Sequence, residues 1–183
     1  MDELRNTVKA LGWDAPRVPR GILALLICAT CAACGGGESR VALSSTFATP
    51  EGLAQAVLDG LQQGDRPRLA SLMLSEAEFS DTIWPELPAS RSGRNLPIEY
   101  AWRQLKQRSD GALATILAQH AGQRYELVRI EFTGETTSYS TFTVRRDSLM
   151  TVRDANGAER RLRLFGSAVV QGERWKLFSY VVE

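Results

Sequence analysis

The pattern of apolar residues begins as a helical one. Between residues 50 and 64 the apolar side chains stand four apart, at Leu53, Val57 and Leu61, and therefore share one face of a helix. We expect this helix to begin at Thr49-Pro50-Glu51, because a hydroxyl at the N-cap, a proline at the first helical position and an acid in the first turn are typical of helix starts. Gly64-Asp65 ends it and begins a second helix.

Shorter helical patterns follow. The second helix has Leu69, Leu72 and Met73 on its inward face, and Ser75-x-x-Glu78 is a capping-box pattern that predicts a third. Residues 84–97 contain two prolines before a Ser-Arg-Ser-Gly run, which predicts a loop. Two further helices are expected after this loop, one over residues 97–107 and one that begins at Asp110 and ends at Gly122.

From residue 124 onward the apolar period falls to two. Val128, Ile130 and Phe132 share one face of a first strand, and the run 136–146 is rich in the β-branched and aromatic residues that favour strands. Asn156-Gly157 predicts a hairpin turn, because this pair accepts the positive φ that such turns need. About five strands joined by short turns predict an antiparallel meander. Helices followed by such a sheet predict an α+β fold, in which the N-terminal helices pack on one face of the sheet.

A different pattern precedes this domain. Residues 21–33 form an apolar run of 13 residues that follows Arg17 and Arg20. A membrane-spanning helix needs about 20 apolar residues, so the run is too short to cross a bilayer. A basic flank, a short apolar core and small residues at its end are typical of a secretory signal peptide. The sequence therefore predicts a signal peptide over residues 1–33.

The end of this segment resembles the lipobox of bacterial lipoproteins. Ala32 and Ala33 occupy the two positions before the cleavage site, and Cys34 occupies the position of the acylated cysteine. Three positions before that cysteine the family usually has Leu, whereas this chain has Cys31. The resemblance implies a diacylglycerol and a palmitate group on Cys34, and the lipid bilayer as a partner. Gly35, where Asp would favour the inner membrane, implies sorting to the outer membrane of a bacterial cell envelope.

The resemblance also implies a division of the chain. Residues 34–49, which are Gly, Ser, Ala and Thr with scattered charge, would form the lipid-anchored tether, and residues 50–183 a single domain. The acidic start, Met1-Asp2-Glu3, is unusual for a signal peptide. Initiation at Val8 or Val18 is therefore a further hypothesis.

Two other interpretations of the cysteines stay open. An ordinary signal peptide cleaved near Ala33 would leave an unmodified thiol at Cys34. The spacing Cys28-x-x-Cys31-x-x-Cys34 also occurs in iron–sulfur proteins. That site needs a fourth ligand, and this chain has three cysteines, all in an apolar run. After cleavage before Cys34 no second cysteine would remain to form a disulfide.

Composition disfavours several kinds of partner and site. Residues 1–33 hold four of the 22 basic and three of the 21 acidic residues, which leaves 18 of each for the rest of the chain. A neutral domain lacks the basic face expected of a nucleic-acid-binding protein. His120 is the only histidine, so no multi-histidine metal site can form. The sequence predicts neither a metal nor a cofactor.

The order of the predicted elements resembles the cystatin-like cone superfamily, which includes nuclear transport factor 2-like, ketosteroid isomerase-like and polyketide-cyclase-like proteins. The resemblance covers residues 50–183 and rests on Ala56–Asp65, a helix that ends in Gly-Asp, followed by Leu69–Met73 and the C-terminal sheet. The long segment around Trp84 departs from the compact members. The resemblance implies a bent, cone-like sheet, with an apolar pocket between this sheet and the helices. Members include enzymes, binding modules and assembly domains, so the fold does not select a function.

Candidate chemistry is sparse. Trp84, Tyr100 and Trp102 are candidate residues of a ligand pocket, although aromatic residues at this spacing more often belong to a core. His120 lies near a predicted helix end, where a structural role is the preferred interpretation. No catalytic residue is predicted. The preferred function is a non-enzymatic module that binds a small apolar ligand or a protein. The alternatives are a ketosteroid isomerase- or polyketide-cyclase-like enzyme acting on a small apolar substrate, and a homodimer that uses the exposed sheet face.

Overall fold

The computed structural model describes residues 42–91 and 96–182. The helices of this part of the chain are α1 (Pro50–Gln63), α2 (Arg66–Leu72), α3 (Glu76–Glu78) and α4 (Ile98–His120). The strands are β1 (Glu126–Phe132), β2 (Thr136–Ser138), β3 (Thr143–Arg146), β4 (Ser148–Arg153), β5 (Glu159–Leu162), β6 (Phe165–Gln171) and β7 (Arg174–Tyr180). All the strand pairs are antiparallel, which confirms the predicted α+β class. The predicted signal peptide, Cys34 and the first part of the predicted tether lie outside the described residues.

The predicted boundaries of the first two helices are confirmed by their capping contacts. The Thr49 hydroxyl accepts a hydrogen bond from the Gly52 backbone N–H at 3.0 Å, and the Asp65 carboxylate accepts one from Arg68 N–H at 3.0 Å. Gly64 between them has a φ of 63°, the left-handed conformation that glycine adopts without a steric penalty. Both bonds satisfy backbone groups that a helix start leaves without partners.

The third helix also begins as predicted. Ser75 and Glu78 form both halves of a capping box, and the chain continues from α3 through a π turn at Phe79–Ile83. Two short 3₁₀ turns follow, at Trp84–Glu86 and Pro88–Ser90. The first part of the predicted loop is thus a series of single helical turns.

One long helix replaces the two that the sequence predicts over residues 97–122. The apparent break, Ser109-Asp110-Gly111, lies inside the 23-residue helix α4. Asp110 does not cap a new helix, because its carboxylate binds Lys106 Nζ one turn earlier at 2.5 Å. Ser109 is buried and its hydroxyl accepts a hydrogen bond from Tyr180 N–H on β7 at 3.0 Å. The ion pair with Lys106 and the bond from β7 therefore keep Asp110 and Ser109 within the helix.

The seven strands form two sheets, with orders β1-β4-β5 and β2-β3-β6-β7. The sequence predicts about five strands because the run 136–146, which appears as one strand, is a hairpin of β2 and β3. β1 pairs with β4, and β2 pairs with β3. On their other sides, β4 pairs with β5, and β3 pairs with β6. Consecutive strands β1 and β2 are thus one long strand divided by a bend, and the same holds for β3 with β4 and for β5 with β6. Long strands that follow one another in the chain are neighbours in the sheets, as in a meander.

The bends of the three long strands lie side by side. Asp147, between β3 and β4, has a φ of 56°. Thr133 and Gly134, between β1 and β2, donate backbone hydrogen bonds to the carbonyls of Asp147 and Arg146, at 3.0 and 3.2 Å. A Cβ at Gly134 would overlap the Asp147 carboxylate. Arg163, between β5 and β6, lies 3.7 Å from the same carboxylate. The absence of a side chain at Gly134 and the ion pair between Asp147 and Arg163 therefore stabilise the bend.

The predicted inward face of β1 is wrong at one residue. The register with β4 shifts between Leu127 and Arg129, so that β1 has one extra residue, Val128, at a bulge. Val128 is 41% exposed, whereas Leu127, Ile130 and Phe132 pack against the main core. The bulge reverses the alternation of faces, which the apolar pattern alone does not reveal.

Two apolar clusters form the core. The main cluster joins α1, α2 and α4 to the sheet through residues such as Leu61, Leu113, Met150 and Leu177. A second cluster contains Leu74, Phe79, Ile83, Phe142, Val144 and Val169. In the part of the chain that the model describes, no helix is both long and apolar enough to cross a membrane.

The free edge of β7 is covered by earlier parts of the chain. Phe47 exchanges two backbone hydrogen bonds with Trp175, at 2.9 and 2.7 Å, and Leu74 N–H donates to the Leu177 carbonyl at 3.1 Å. Covering an edge strand removes a surface on which other chains could pair. Phe47 belongs to the segment that the sequence assigns to the tether. Its contact places the start of the folded domain before residue 50.

Candidate functional site

Two of the three predicted pocket residues lie together. The rings of Trp84 and Trp102 both contact Phe79, with centroid distances of 5.8 and 5.4 Å. They belong to the second cluster, in which Phe79 is buried. Tyr100 is 49% exposed and is not part of either cluster. Tyr100 therefore lies apart from the cluster that Trp84 and Trp102 join, and Trp84 contributes to the core.

Trp102 additionally lines a surface groove along α4, which we call the α4 groove. Its volume is about 580 Å³. Its lining includes Glu76, Glu99, Trp102, Arg103, Lys106 and Asp110. The α4 residues stand three or four apart, so they share one face of the helix. One half-buried aromatic ring therefore lies among charged residues of both signs.

His120 lies in a small cleft at the opposite end of α4. The cleft has a volume of about 110 Å³ and is also lined by Arg161 and Arg163. His120 Nδ1 is 3.0 Å from the Tyr125 hydroxyl, which donates to Gln123 Oε1 at 2.7 Å. Because the hydroxyl proton is used there, Nδ1 must carry the proton of its own bond. Burial lowers the pKa of His120, since it disfavours the charged ring. The neutral, bonded ring fits the structural role expected from the sequence.

A buried ion pair is the feature that the sequence analysis missed. Lys176 Nζ on β7 lies 3.2 Å from Glu78 Oε1, and both side chains are at most 2% exposed. Ser44 joins them: its N–H and hydroxyl donate to Glu78 Oε1 at 2.6 and 2.9 Å, and its carbonyl accepts from Lys176 Nζ at 2.6 Å. Ser75 N–H donates to the second Glu78 oxygen at 2.7 Å. The pair therefore fastens the segment before α1 to the domain.

The pKa of Glu78 reflects these contacts. Burial acts to raise it, because a buried carboxylate loses hydration. The hydrogen bonds from Ser75 and Ser44 and the charge of Lys176 act in the opposite direction, and the net pKa is lowered. The carboxylate is thus held in its ionised form. The capping-box pattern identifies Glu78 as a helix-start residue, but residues 44 and 176 are too distant in sequence to be recognised as its partners.

The arginines of the sheet are largely paired with acids or aromatic rings. Arg153 lies 3.3 Å from Glu126 and 3.4 Å from Glu159, across strands. Arg145 lies over the ring of Trp175 at 5.5 Å. An acidic or aromatic side chain thus lies beside each of these two arginines. Exposed pairs of this kind contribute little to stability.

Comparisons with known proteins give no family. No protein-family model matches the chain, and neither a curated protein nor a solved structure matches it. Among the described residues, no group of three or more His, Cys, Asp and Glu side chains is placed to hold a metal ion. Function must therefore be argued from the grooves and charges of this chain alone.

Proposed function

We propose that this chain is a lipoprotein of a bacterial cell envelope, anchored through Cys34, and that its domain binds a segment of a partner protein in the α4 groove. The lipobox resemblance of residues 31–34 supports the anchor and the envelope location. The observation that carries the binding function is the α4 groove itself, with Trp102 among charged residues of both signs. An apolar centre with a polar rim is the usual composition of a protein-binding surface.

A protein segment fits this groove better than the small apolar ligand that the sequence also allows. Small-molecule sites enclose most of their ligand and are lined mainly by apolar side chains. The α4 groove is open and has one aromatic ring beside Glu76, Glu99 and Arg103. A segment with an apolar residue between charged ones could contact Trp102 while its charges pair along the rim.

The enzyme alternative has one supporting observation, which is His120 at the cleft beside Arg161. An unprotonated Nε2 in such a cleft could act as a base. The cleft holds about 110 Å³, however, whereas ligand pockets usually hold roughly 300–1,000 Å³. A substrate of steroid or polyketide size would not fit. The bent antiparallel sheet supports the resemblance to the cone superfamily without favouring its enzymes.

The contacts of residues 43–47 shorten the proposed tether. The structure packs Ser44 and Phe47 against the domain, so the free spacer would extend only from Cys34 to about Ala42. Eight residues span at most about 28 Å, at roughly 3.3–3.6 Å per residue. The β7 edge would then stay close to the bilayer, and the reach of the domain toward a partner would be small.

Lipidation is tested by mass spectrometry of the full-length chain expressed in a diderm bacterium. We expect the mature protein to begin at Cys34 with a diacylglyceryl adduct and to enter the detergent phase. Cys34→Ser should abolish the adduct and leave the protein in the aqueous phase. Cys28→Ser is the matched control and should keep the adduct. A mature chain with an unmodified thiol at residue 34 would reject the anchor.

Binding in the α4 groove is tested by photo-cross-linking in intact envelopes. A photoreactive amino acid at Arg103, inside the groove, should give one discrete protein adduct. The same probe at Ala114, an exposed residue of α4 outside this groove, is the control and should not. We expect Trp102→Ala to reduce the adduct at residue 103 at least tenfold. Equal adducts from both positions, or an adduct only with a second copy of the chain, would reject this binding surface.

A further inference from the structure

A buried hydroxyl on the outer face of the β1-β4-β5 sheet has no hydrogen-bond partner. It belongs to Thr151, between Met150 and Val152, which are both fully buried in the main core. Because side chains alternate along a strand, Thr151 points to the opposite face of the sheet. It is nevertheless only 4% exposed. Its Oγ1 is out of contact with solvent and makes no hydrogen bond.

Two arginines flank this threonine on the neighbouring strands. Arg129 on β1 and Arg161 on β5 are both registered directly opposite Thr151, so the three side chains form a row across the sheet face. We call it the Thr151 row. It lines a groove of about 410 Å³, together with Glu131, Glu159 and Arg160.

The two arginines of the row differ from Arg160, the third arginine of the groove. Arg160 binds Asp154 at 2.7 Å through Nε, so its charge is already compensated. Arg129 binds Glu131 through Nε at 3.0 Å, which leaves its terminal NH₂ groups without a described partner. The guanidinium of Arg161 makes no hydrogen bond or ion pair with any described residue. An unbonded hydroxyl thus lies in the same row as two arginines whose guanidinium groups have donors to spare.

The second hydroxyl of β4 shows what is unusual here. Ser148, three residues earlier, is equally buried, and its hydroxyl donates to the Phe165 carbonyl. Buried polar atoms are almost always bonded in this way, and an exception points to a ligand, an ion or a water that completes the bond. Because Thr151 stands in register with two arginines, a negatively charged hydrogen-bond acceptor is the partner that would best complete its bond.

We propose that the Thr151 row binds the carboxylate group of a small ligand. The Thr151 hydroxyl would donate to one carboxylate oxygen, and Arg161 and Arg129 would donate to both through their planar groups. A singly charged carboxylate is favoured over a doubly charged phosphate, because Glu131 and Glu159 line the same groove and repel added negative charge. The site uses none of the residues of the α4 groove and does not depend on the proposed function.

The test is a titration of the folded chain with sodium acetate, with the Arg Nε–H and Thr151 amide resonances followed by NMR at constant ionic strength. We expect saturable shifts of Arg161, Arg129 and Thr151, and weaker shifts with inorganic phosphate. Thr151→Val keeps the shape of the side chain and removes the hydroxyl, so it should fold normally and weaken acetate binding at least tenfold. Thr151→Ser should restore binding.

Arg161→Gln should also weaken acetate binding, whereas Arg145→Gln on the other sheet should leave it unchanged. Three results would overturn the proposal: shifts that rise linearly and equally with chloride, tighter binding of phosphate than of acetate, and unaltered binding by Thr151→Val. Shifts that depend on protein concentration but not on acetate would show instead that a second copy of the chain covers this face. That outcome would also reject the site.

Discussion

Lys176→Met is expected to lower the free energy of unfolding by about 3–5 kcal/mol, because it leaves the Glu78 carboxylate buried without its cation. Nζ of Lys176 lies 3.2 Å from Glu78 Oε1, and neither side chain is more than 2% exposed. The change also removes the donor to the Ser44 carbonyl. The measurement is urea unfolding of residues 35–183, followed by circular dichroism.

Two further variants decide whether the buried pair is the cause. Lys106→Met breaks an ion pair with Asp110 whose side chains are 46% and 39% exposed, and it should cost less than about 1 kcal/mol. Glu78→Gln combined with Lys176→Met removes both charges and should be less destabilised than Lys176→Met alone. If Lys176→Met cost no more than Lys106→Met, the ion pair would not contribute to stability.

The same pair gives the stability a definite dependence on pH. The folded-state pKa of Glu78 lies below its ordinary value of 4.5. Its contribution is therefore fully present above that value and is lost as the pH falls through the folded-state pKa. Lys176→Met removes one of the influences that lower this pKa. Glu78 should therefore contribute a smaller loss of stability on acidification in the variant, so that the difference in unfolding free energy between Lys176→Met and the unaltered chain should shrink as the pH falls below 4.5.

The sequence predicts best what depends on neighbouring residues. The caps at Thr49 and Asp65 and the capping box of Ser75 and Glu78 use side chains within three residues of the groups they bind, so their patterns are readable. The bulge at Val128 and the bend at Asp147 arise from pairing with other strands. A single sequence does not contain that register, which explains why the face of β1 was predicted wrongly at Val128.

The candidate sites show the same limit. Trp102 is noticeable as an aromatic residue, but the charged residues beside it become a groove only because α4 is a continuous helix. The α4 prediction failed at residues 109–111, where the bond between Ser109 and β7 and the Lys106–Asp110 ion pair outweigh a local break signal. Thr151 is an unremarkable strand residue until the register places Arg129 and Arg161 beside it. The run of arginines in β5 was visible, whereas the buried hydroxyl was not.

The boundary of the domain can be tested by truncation, and the expected effect is large. A chain that begins at Ala42 keeps the contacts of Ser44 and Phe47 and should unfold like one that begins at Gly35. A chain that begins at Ala48 loses the Ser44 bonds to Glu78 and Lys176 and both backbone bonds between Phe47 and Trp175. At about 1 kcal/mol for each lost bond, and more for bonds to charged groups, the loss should be about 4 kcal/mol or more.

For a domain of this size such a loss lowers the midpoint of thermal unfolding by roughly 10 °C, at about 2–4 °C per kcal/mol. Scanning calorimetry of the three chains measures it. Ser44→Ala is the matched variant within the longer chains. It removes the hydroxyl bond to Glu78 but keeps both backbone contacts, so it should cost only a fraction of the truncation. Equal midpoints for the chains beginning at residues 42 and 48 would mean that residues 42–47 act as a tether. Unequal midpoints would place the start of the folded domain at about Ala42.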